Sequence, residues 1–186
     1  MLSLIFDTET TGIYLFNYPV DHPDQPDVVQ LCAMLADEER VYTAVNMFIH
    51  TETPIPEEAY AVHRINREMT ARVGVSRSTA CRTLDNMARK ADVLVGHNID
   101  FDIKIMMAAT LREGGAGEAL KKTSYCTMRN STDVCKIPNP RFPTKFKWPK
   151  LTEAYEMLVD PRGFDGAHDA MADARATHAL YRVLTK

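Results

Sequence analysis

Leu2-Ser3-Leu4-Ile5-Phe6-Asp7-Thr8-Glu9-Thr10-Thr11-Gly12 is a short apolar, β-rich run that carries two acids and closes in a Thr-Gly turn signal. It reads as a buried strand. Asp7 and Glu9, two residues apart, leave the same face of such a strand, roughly 6 to 7 Å apart along the backbone. Desolvation and mutual repulsion both oppose two ionised carboxylates at that place, and a divalent cation would resolve the conflict. Acids at a strand end that simply reaches solvent are the alternative for an isolated pair of this kind.

Around this strand the chain organises itself. Asn17 to Asp27 holds three prolines and little apolar periodicity, a surface loop. Val28–Ala36 and Arg40–Ile49 are rich in Val, Leu, Tyr and Phe, and the acidic break between them predicts an antiparallel hairpin. One or two short helices are expected within Pro54–Thr70. Helices are also predicted over Arg77–Lys90, about Phe101 to Arg112, Leu151–Leu158 and Ala170–Leu184, with strands at Val93–Val95 and near Ser124–Cys126. Strands followed by alternating helix and strand imply an α/β protein with a sheet of mixed direction, and residues 1–186 are expected to form a single domain.

Two later clusters carry chemistry-bearing side chains. His97-Asn98-Ile99-Asp100-Phe101-Asp102 falls at a strand end and a helix start. Asp100 suits a helix N-cap, and Asp102 in the first turn would be favoured by the helix dipole, so both acids have structural uses as well as catalytic ones. The third cluster runs from Gly166 through His168 and Asp169 to Asp173. On one regular helix, His168 and Asp173 would stand ~140° apart, so His168 is expected in the loop before the helix, with Asp169 as its cap. Taken together, carboxylates suit Mg²⁺ or Mn²⁺, a pair of such ions serves phosphodiester cleavage, and a histidine supplies a base.

Composition narrows the classes. Twenty-two Lys and Arg against 25 Asp and Glu give a net charge of -3, which excludes a strongly basic, sequence-blind nucleic-acid coat. The N-terminus has no basic region before its apolar run, and no run approaches the ~18 apolar residues of a membrane span, so a soluble, cytoplasmic protein with no membrane partner is expected. The four cysteines show no C-x-x-C spacing and read as reduced thiols.

The ordered set of three motifs resembles the DEDDh (DnaQ-like) 3′-to-5′ exonucleases across nearly the whole chain. Ile5–Gly12 resembles their first motif, Val95–Asp102 their second and Ala167–Ala174 their third, with His168 five residues before the last acid as in the histidine branch. The resemblance implies a ribonuclease H-like fold, a mixed five-stranded sheet flanked by helices. It implies that Asp7, Glu9, Asp102 and Asp173 are the carboxylates of a two-ion Mg²⁺ site, with Mn²⁺ able to substitute, and that His168 is the general base. Asp7 would touch both ions, Glu9 and Asp173 would complete the first site, and Asp102 would serve the second. The expected reaction releases nucleoside 5′-monophosphates from single-stranded or frayed DNA 3′ ends, with short RNA as the alternative substrate and a polymerase as a partner of proofreading-type members. Thr10, Thr11, Gly12 and Ile13 would hold the terminal nucleotide, and Asn98 would orient the site or contact the strand. His63 would line a terminal-base pocket, although the family often has His-Gly-Ile-Thr where this chain has His63-Arg64-Ile65-Asn66.

The 19 residues between Asp133 and Glu153 contain no acid, and five cations there are interleaved with Phe142, Phe146 and Trp148. Cations tracking phosphates and aromatic faces stacking on bases would suit a nucleic-acid strand, with Trp148 among the substrate contacts. A proline-rich loop whose aromatics pack on the core is the other reading.

Overall fold

The computed structural model describes residues 1–186. Five strands form one sheet in the order β3-β2-β1-β4-β5: β1 Ser3–Thr10, β2 Val28–Ala36, β3 Val41–Phe48, β4 Val93–Gly96 and β5 Ser124–Cys126. β1 to β3 form an antiparallel meander, whereas β4 and β5 add in parallel through helical crossovers. The helices are α1 Glu57–His63, α2 Arg67–Val73, α3 Arg77–Lys90, α4 Ile99–Arg112, α5 Thr127–Cys135, α6 Leu151–Leu158 and α7 Ala170–Leu184. No helix is long and apolar enough to cross a membrane. All four cysteines are buried and free.

The parity of β1 decides what each face of the sheet receives. Leu4 and Phe6 enter a core with Leu84 of α3 and Ile105 and Met106 of α4. Ile5 enters a second core with Cys32, Val95 and, from α7, Ala170, Ala174 and Tyr181. Those α7 positions recur at helical spacing, and the small alanines let the helix lie close against the sheet. Each fully buried Leu, Ile or Phe contributes on the order of 1.5 to 3 kcal/mol. β2 is buried along its whole length, as befits a strand covered on both faces, whereas β3 is an exposed edge.

Two local expectations are corrected. α4 starts at Ile99, and its N-cap is Asn98, not Asp100. Asn98 adopts the left-handed conformation at φ 70, which asparagine tolerates, and so turns the chain into α4 only two residues after β4 ends. Asp100 instead stands in the first turn and pairs with Arg129 of α5. The second correction is α5 itself, which hydrophobic periodicity did not predict. Its buried positions include Thr127 and Ser131, small polar residues that an apolar pattern does not register. Gly96 is closely approached: a Cβ there would lie 2.6 Å from Ile99 Cδ1 and 3.2 Å from the Phe6 carbonyl oxygen, so the Ile99 side chain would have to move.

Candidate active site

The strand parity that sends Ile5 toward α7 also sends Asp7 and Glu9 there. Carboxylate oxygens of Asp7, Glu9 and Asp173 lie within 4.8 Å of one another. α7 is held in place for this by its cap. Asp169 Oδ1 accepts from the backbone N–H groups of Met171 and Ala172, and its Oδ2 accepts from the Gln30 side-chain amide at 2.9 Å. Gln30 is buried on β2 and donates also to Asn46 on β3, so the start of α7 is tied across two strands.

Asp102 arrives from the opposite face. The even-numbered parity of β1 points Thr8 toward α4, where its backbone N–H and its hydroxyl both donate to Asp102 Oδ1. Asp102 stands outside the 4.8 Å group, with Oδ2 free of hydrogen bonds. Its charge nonetheless reaches Asp7: after burial, Asp102 is the largest influence that pushes the Asp7 carboxyl up.

The electrostatics are those of a site awaiting positive charge. Burial, then repulsion from Asp173 and Asp102, pushes Glu9 up to about 8. Burial takes Asp102 up to about 7 despite the opposing hydrogen bonds from Thr8. Burial also raises Asp173 to about 6, against the His168 backbone N–H that donates to its Oδ2 at 3.2 Å. The buried Oδ1 of Asp173 has no hydrogen-bond partner. A buried acceptor without a donor, beside two crowded carboxylates, fits a hard divalent cation with oxygen ligands. A cluster of structural acids would instead be satisfied by cations or N–H groups of the protein, as Asp27 is.

His168 lies in the loop before α7, exposed and in the left-handed conformation at φ 69. Its ring is uncommitted, while its backbone N–H holds Asp173. Thr10 and Thr11 are buried and engaged internally: the Thr10 hydroxyl donates to the Gly12 carbonyl, and Thr11 exchanges bonds with the Asp27 backbone. Their side chains therefore shape the turn. A Cβ at Gly12 would meet only Pro26 at 4.0 Å, and its backbone is not left-handed, so no fold constraint demands glycine there. Ile13 is 78% exposed at the rim.

His63 is buried, its Nδ1 accepting from Ile65 N–H and its Nε2 therefore donating to the Thr10 carbonyl at 3.2 Å. Burial keeps this ring neutral by lowering its pKa. The departure at Arg64 and Asn66 leaves the local geometry intact. Arg64 ends α1 at φ 61, the region in which the family's usual glycine would be at ease, and the Asn66 side chain caps α2 at Met69 N–H. Asn98 presents an exposed side chain beside the Asp102 helix, and Trp148 is 62% exposed.

Sequence reasoning missed the residues that brace the site. Asp27 accepts from Thr51 and Thr53 and pairs with Arg77 and Arg112, and Arg112 also donates to the carbonyls of His22, Pro23 and Gln25. The loop over residues 17–27 is thereby pinned against the Thr10–Gly12 turn. Its signal in the sequence, an Asp at a strand start and an Arg at a helix end, is too common to read alone.

Against known proteins, a family model described as an exonuclease, RNase_T, matches residues 4–181. An uncharacterized exonuclease, CP81, of Escherichia phage 186 is 24% identical over 191 residues, which are 98% of this chain and 88% of that protein. DNA polymerase III subunit epsilon of Treponema pallidum is 25% identical over 105 residues, 55% of this chain and 43% of the subunit. Among solved structures, E. coli Exonuclease I in complex with a dT13 oligonucleotide superposes with a TM-score of 0.79 at 16% identity, over 100% of this chain and 41% of that one. Exonuclease I from Methylocaldum szegediense gives 0.76 at 18%, over 98% and 40%. The chain thus spans about two fifths of the length of these enzymes. Their likeness establishes the fold, the ribonuclease H-like arrangement of a mixed five-stranded sheet flanked by helices.

Proposed function

As the chain belongs to the RNase_T exonuclease family, we propose that it is a metal-dependent 3′-to-5′ exonuclease acting as a single domain on single-stranded or frayed DNA ends. The observation that carries this reading is the convergence of Asp7, Glu9 and Asp173 within 4.8 Å, with a buried oxygen of Asp173 unpartnered. Asp7, Glu9 and Asp173 would hold one divalent cation, Mg²⁺ or Mn²⁺, and Asp102 with Asp7 would serve a second. Such ions stabilise charge on the attacking and leaving oxygens of a phosphodiester.

The chain's own groups do the rest. His168, free at its ring and anchored through its backbone to Asp173, accepts the proton of the attacking water. The bond between phosphorus and the 3′ oxygen of the penultimate nucleotide breaks, releasing a nucleoside 5′-monophosphate and a shortened strand with a 3′ hydroxyl. The Thr10–Gly12 backbone and Ile13 cradle the terminal nucleotide, braced from behind by His63, while Asn98 and Trp148 flank the strand.

DNA is favoured because the solved relative named above binds a deoxyoligonucleotide, and the epsilon-subunit relative makes a polymerase the partner to test. The deciding experiment is product analysis on 5′-labelled DNA and RNA oligonucleotides, with Mg²⁺ or chelator, beside Asp7→Ala and His168→Ala. A metal-dependent ladder shortening from the 3′ end, faster on DNA and lost in both variants, is expected. Cleavage that persists with a blocked 3′ end would refute exonucleolysis.

A further inference from the structure

The longest acid-free stretch of the chain, residues 134–152, runs from the end of α5 to the start of α6 and forms a small hairpin between them. Pro138 and Phe146 form an antiparallel bridge, Lys147 N–H donates to the Ile137 carbonyl at 2.9 Å, and Asn139 N–H donates to the Lys145 carbonyl at 3.2 Å. The Asn139 side chain closes the tip by accepting from the N–H groups of Arg141 and Phe142. At its base Ile137 packs against the core formed by Cys135, Ala154 and Leu180. The segment is therefore ordered by its own bonds, and its aromatics are not what fastens it to the protein.

What it displays is unusual for a protein of net charge -3. Phe142, Phe146 and Trp148 are 57%, 41% and 62% exposed. Lys136, Arg141 and Lys145 are exposed and form no ion pair, while Lys147 pairs with Glu153 and Lys150 stands beside that same carboxylate. Exposed aromatic rings among unpaired cations complement a polyanion that carries flat apolar faces, which is a single nucleic-acid strand.

Its position relative to the acids is fixed by one histidine. His97, between β4 and the Asn98 cap of α4, donates from Nε2 to the Pro149 carbonyl at 3.0 Å. A ring donating there has Nδ1 as its acceptor, and the Thr127 hydroxyl meets it at 3.0 Å. Burial lowers the pKa of this ring and keeps it in that neutral form. Trp148 is thus held one residue from a contact to the helix entrance that carries Asp102. From Pro149 out to Phe142 the chain reaches on the order of 15 to 20 Å, a span of several nucleotides.

We infer that the hairpin over residues 137–148 is a stacking platform for the part of a single strand that lies 5′ of the nucleotide being removed. This deepens the proposed function and rests on it. Trp148 and Phe146 take the bases nearest the acids, Phe142 takes one farther out, and Arg141 and Lys145 follow the phosphates. Strands too short to reach the tip forgo those contacts.

Trp148 is the only tryptophan of the chain, so its fluorescence reports the contact directly. The test compares dT2, dT4, dT8 and dT12, measuring kcat/KM with Mg²⁺ and Trp148 quenching with chelator. The expected result is kcat/KM that climbs with length to a plateau, and quenching by dT12. Phe142→Ala should raise KM for dT12 by roughly 5- to 150-fold, the effect of losing one base stack. Arg141→Ala with Lys145→Ala should flatten the salt dependence of dT12 binding by a slope of about 1.4, or 0.7 for each lost phosphate contact. Equal kcat/KM at every length with no quenching would overturn the platform and leave the exonuclease standing. Quenching by dT12 with no cleavage of any oligonucleotide would instead refute the exonuclease reading and support the platform as a binding surface.

Discussion

Thr8 donates twice to a single oxygen of Asp102, its backbone N–H to Oδ1 at 3.0 Å and its hydroxyl to the same atom at 2.7 Å. The bond pair links the central strand β1, which carries Asp7 and Glu9, to the helix that carries the fourth acid. It holds Oδ1 and leaves Oδ2 for a cation. Thr8→Val keeps the shape and the backbone bond but deletes the hydroxyl. A hydrogen bond to a charged acceptor is worth about 1.5 to 3 kcal/mol. The loss also lets burial push the Asp102 carboxyl higher still, so protons compete better with metal. Thr8→Val should therefore need more Mg²⁺ for half-maximal activity at pH 7, and Thr8→Ser should restore the wild-type requirement. An unchanged Mg²⁺ requirement in Thr8→Val would show that the hydroxyl does not tune Asp102.

The acid cluster also sets how stability responds to pH. Glu9, Asp102 and Asp173 are pushed up to about 8, 7 and 6, and Asp7 is raised as well, all chiefly by burial. In the unfolded chain these carboxyls ionise near 4. Between about pH 4 and pH 8 the folded, metal-free protein holds more protons than the unfolded one, so stability falls as pH rises through that window. Thermal denaturation in chelator should show the melting temperature dropping from pH 5 to pH 8. Adding Mn²⁺ or Mg²⁺ at a hundred times its dissociation constant should raise it by about 5 to 10 °C at pH 8. A melting temperature that climbs with pH in chelator would contradict the raised carboxyls.

Asp27 obeys the opposite sign. Burial pushes its carboxyl up, but the Thr51 and Thr53 hydroxyls and the Arg77 and Arg112 guanidinium groups outweigh burial and hold it below the usual range. Its contribution is present above the unfolded pKa near 4 and is lost as pH falls through the folded value. Asp27→Asn leaves Arg112, whose side chain is only 15% exposed, without its charge partner. Breaking such a pair costs about 3 to 5 kcal/mol. Urea denaturation at pH 7 should show that deficit, and the gap to wild type should narrow at pH 3.

How much of this was legible beforehand depended on where each residue's signal lies. Asp7 and Glu9 share a face by strand parity, and His168 falls before a helix start by its spacing from Asp173, but the place of Asp173 beside Asp7 and Glu9 was implied only by the family resemblance; the structure puts carboxylate oxygens of the three within 4.8 Å. Asp102 was separable from Asp100 only through the family resemblance, because both fall in the first turn of α4; the structure parts them, Thr8 holding one and Arg129 the other. The β2–β3 hairpin followed from two β-rich runs and the acidic break between them, the mixed direction of the sheet from the alternation of helix and strand, and most helix boundaries from apolar periodicity. α5 did not, because Thr127 and Ser131 bury hydroxyls that bond within the protein, one to the His97 ring and one to the Met128 carbonyl, which no hydropathy pattern records. Gln30 and Arg112 were illegible for a related reason: their partners lie 139 and 85 residues away, and nothing local marks them.

Gln30 gives the last prediction. Its amide nitrogen bonds both Asn46 and Asp169, and its oxygen faces the first N–H of α7, so one side chain sets the height of the helix that delivers Asp173. Gln30→Met keeps the volume but leaves a half-buried Asp169 oxygen without its donor, at a cost of about 1 to 3 kcal/mol. Gln30→Glu keeps the shape and places a second carboxylate against Asp169, so its penalty depends on ionisation and eases as pH falls toward 5. If α7 placement is what Gln30 supplies, both variants should lose activity while still folded, because Asp173 moves relative to Asp7. The measurements are melting temperature and exonuclease rate at pH 5.5 and pH 8. Gln30→Glu should lose stability between the two pH values more steeply than wild type, whereas Gln30→Met should parallel it. Full activity in a folded Gln30→Met protein would mean that the sheet contacts of Ala170, Ala174 and Tyr181 suffice to place the helix.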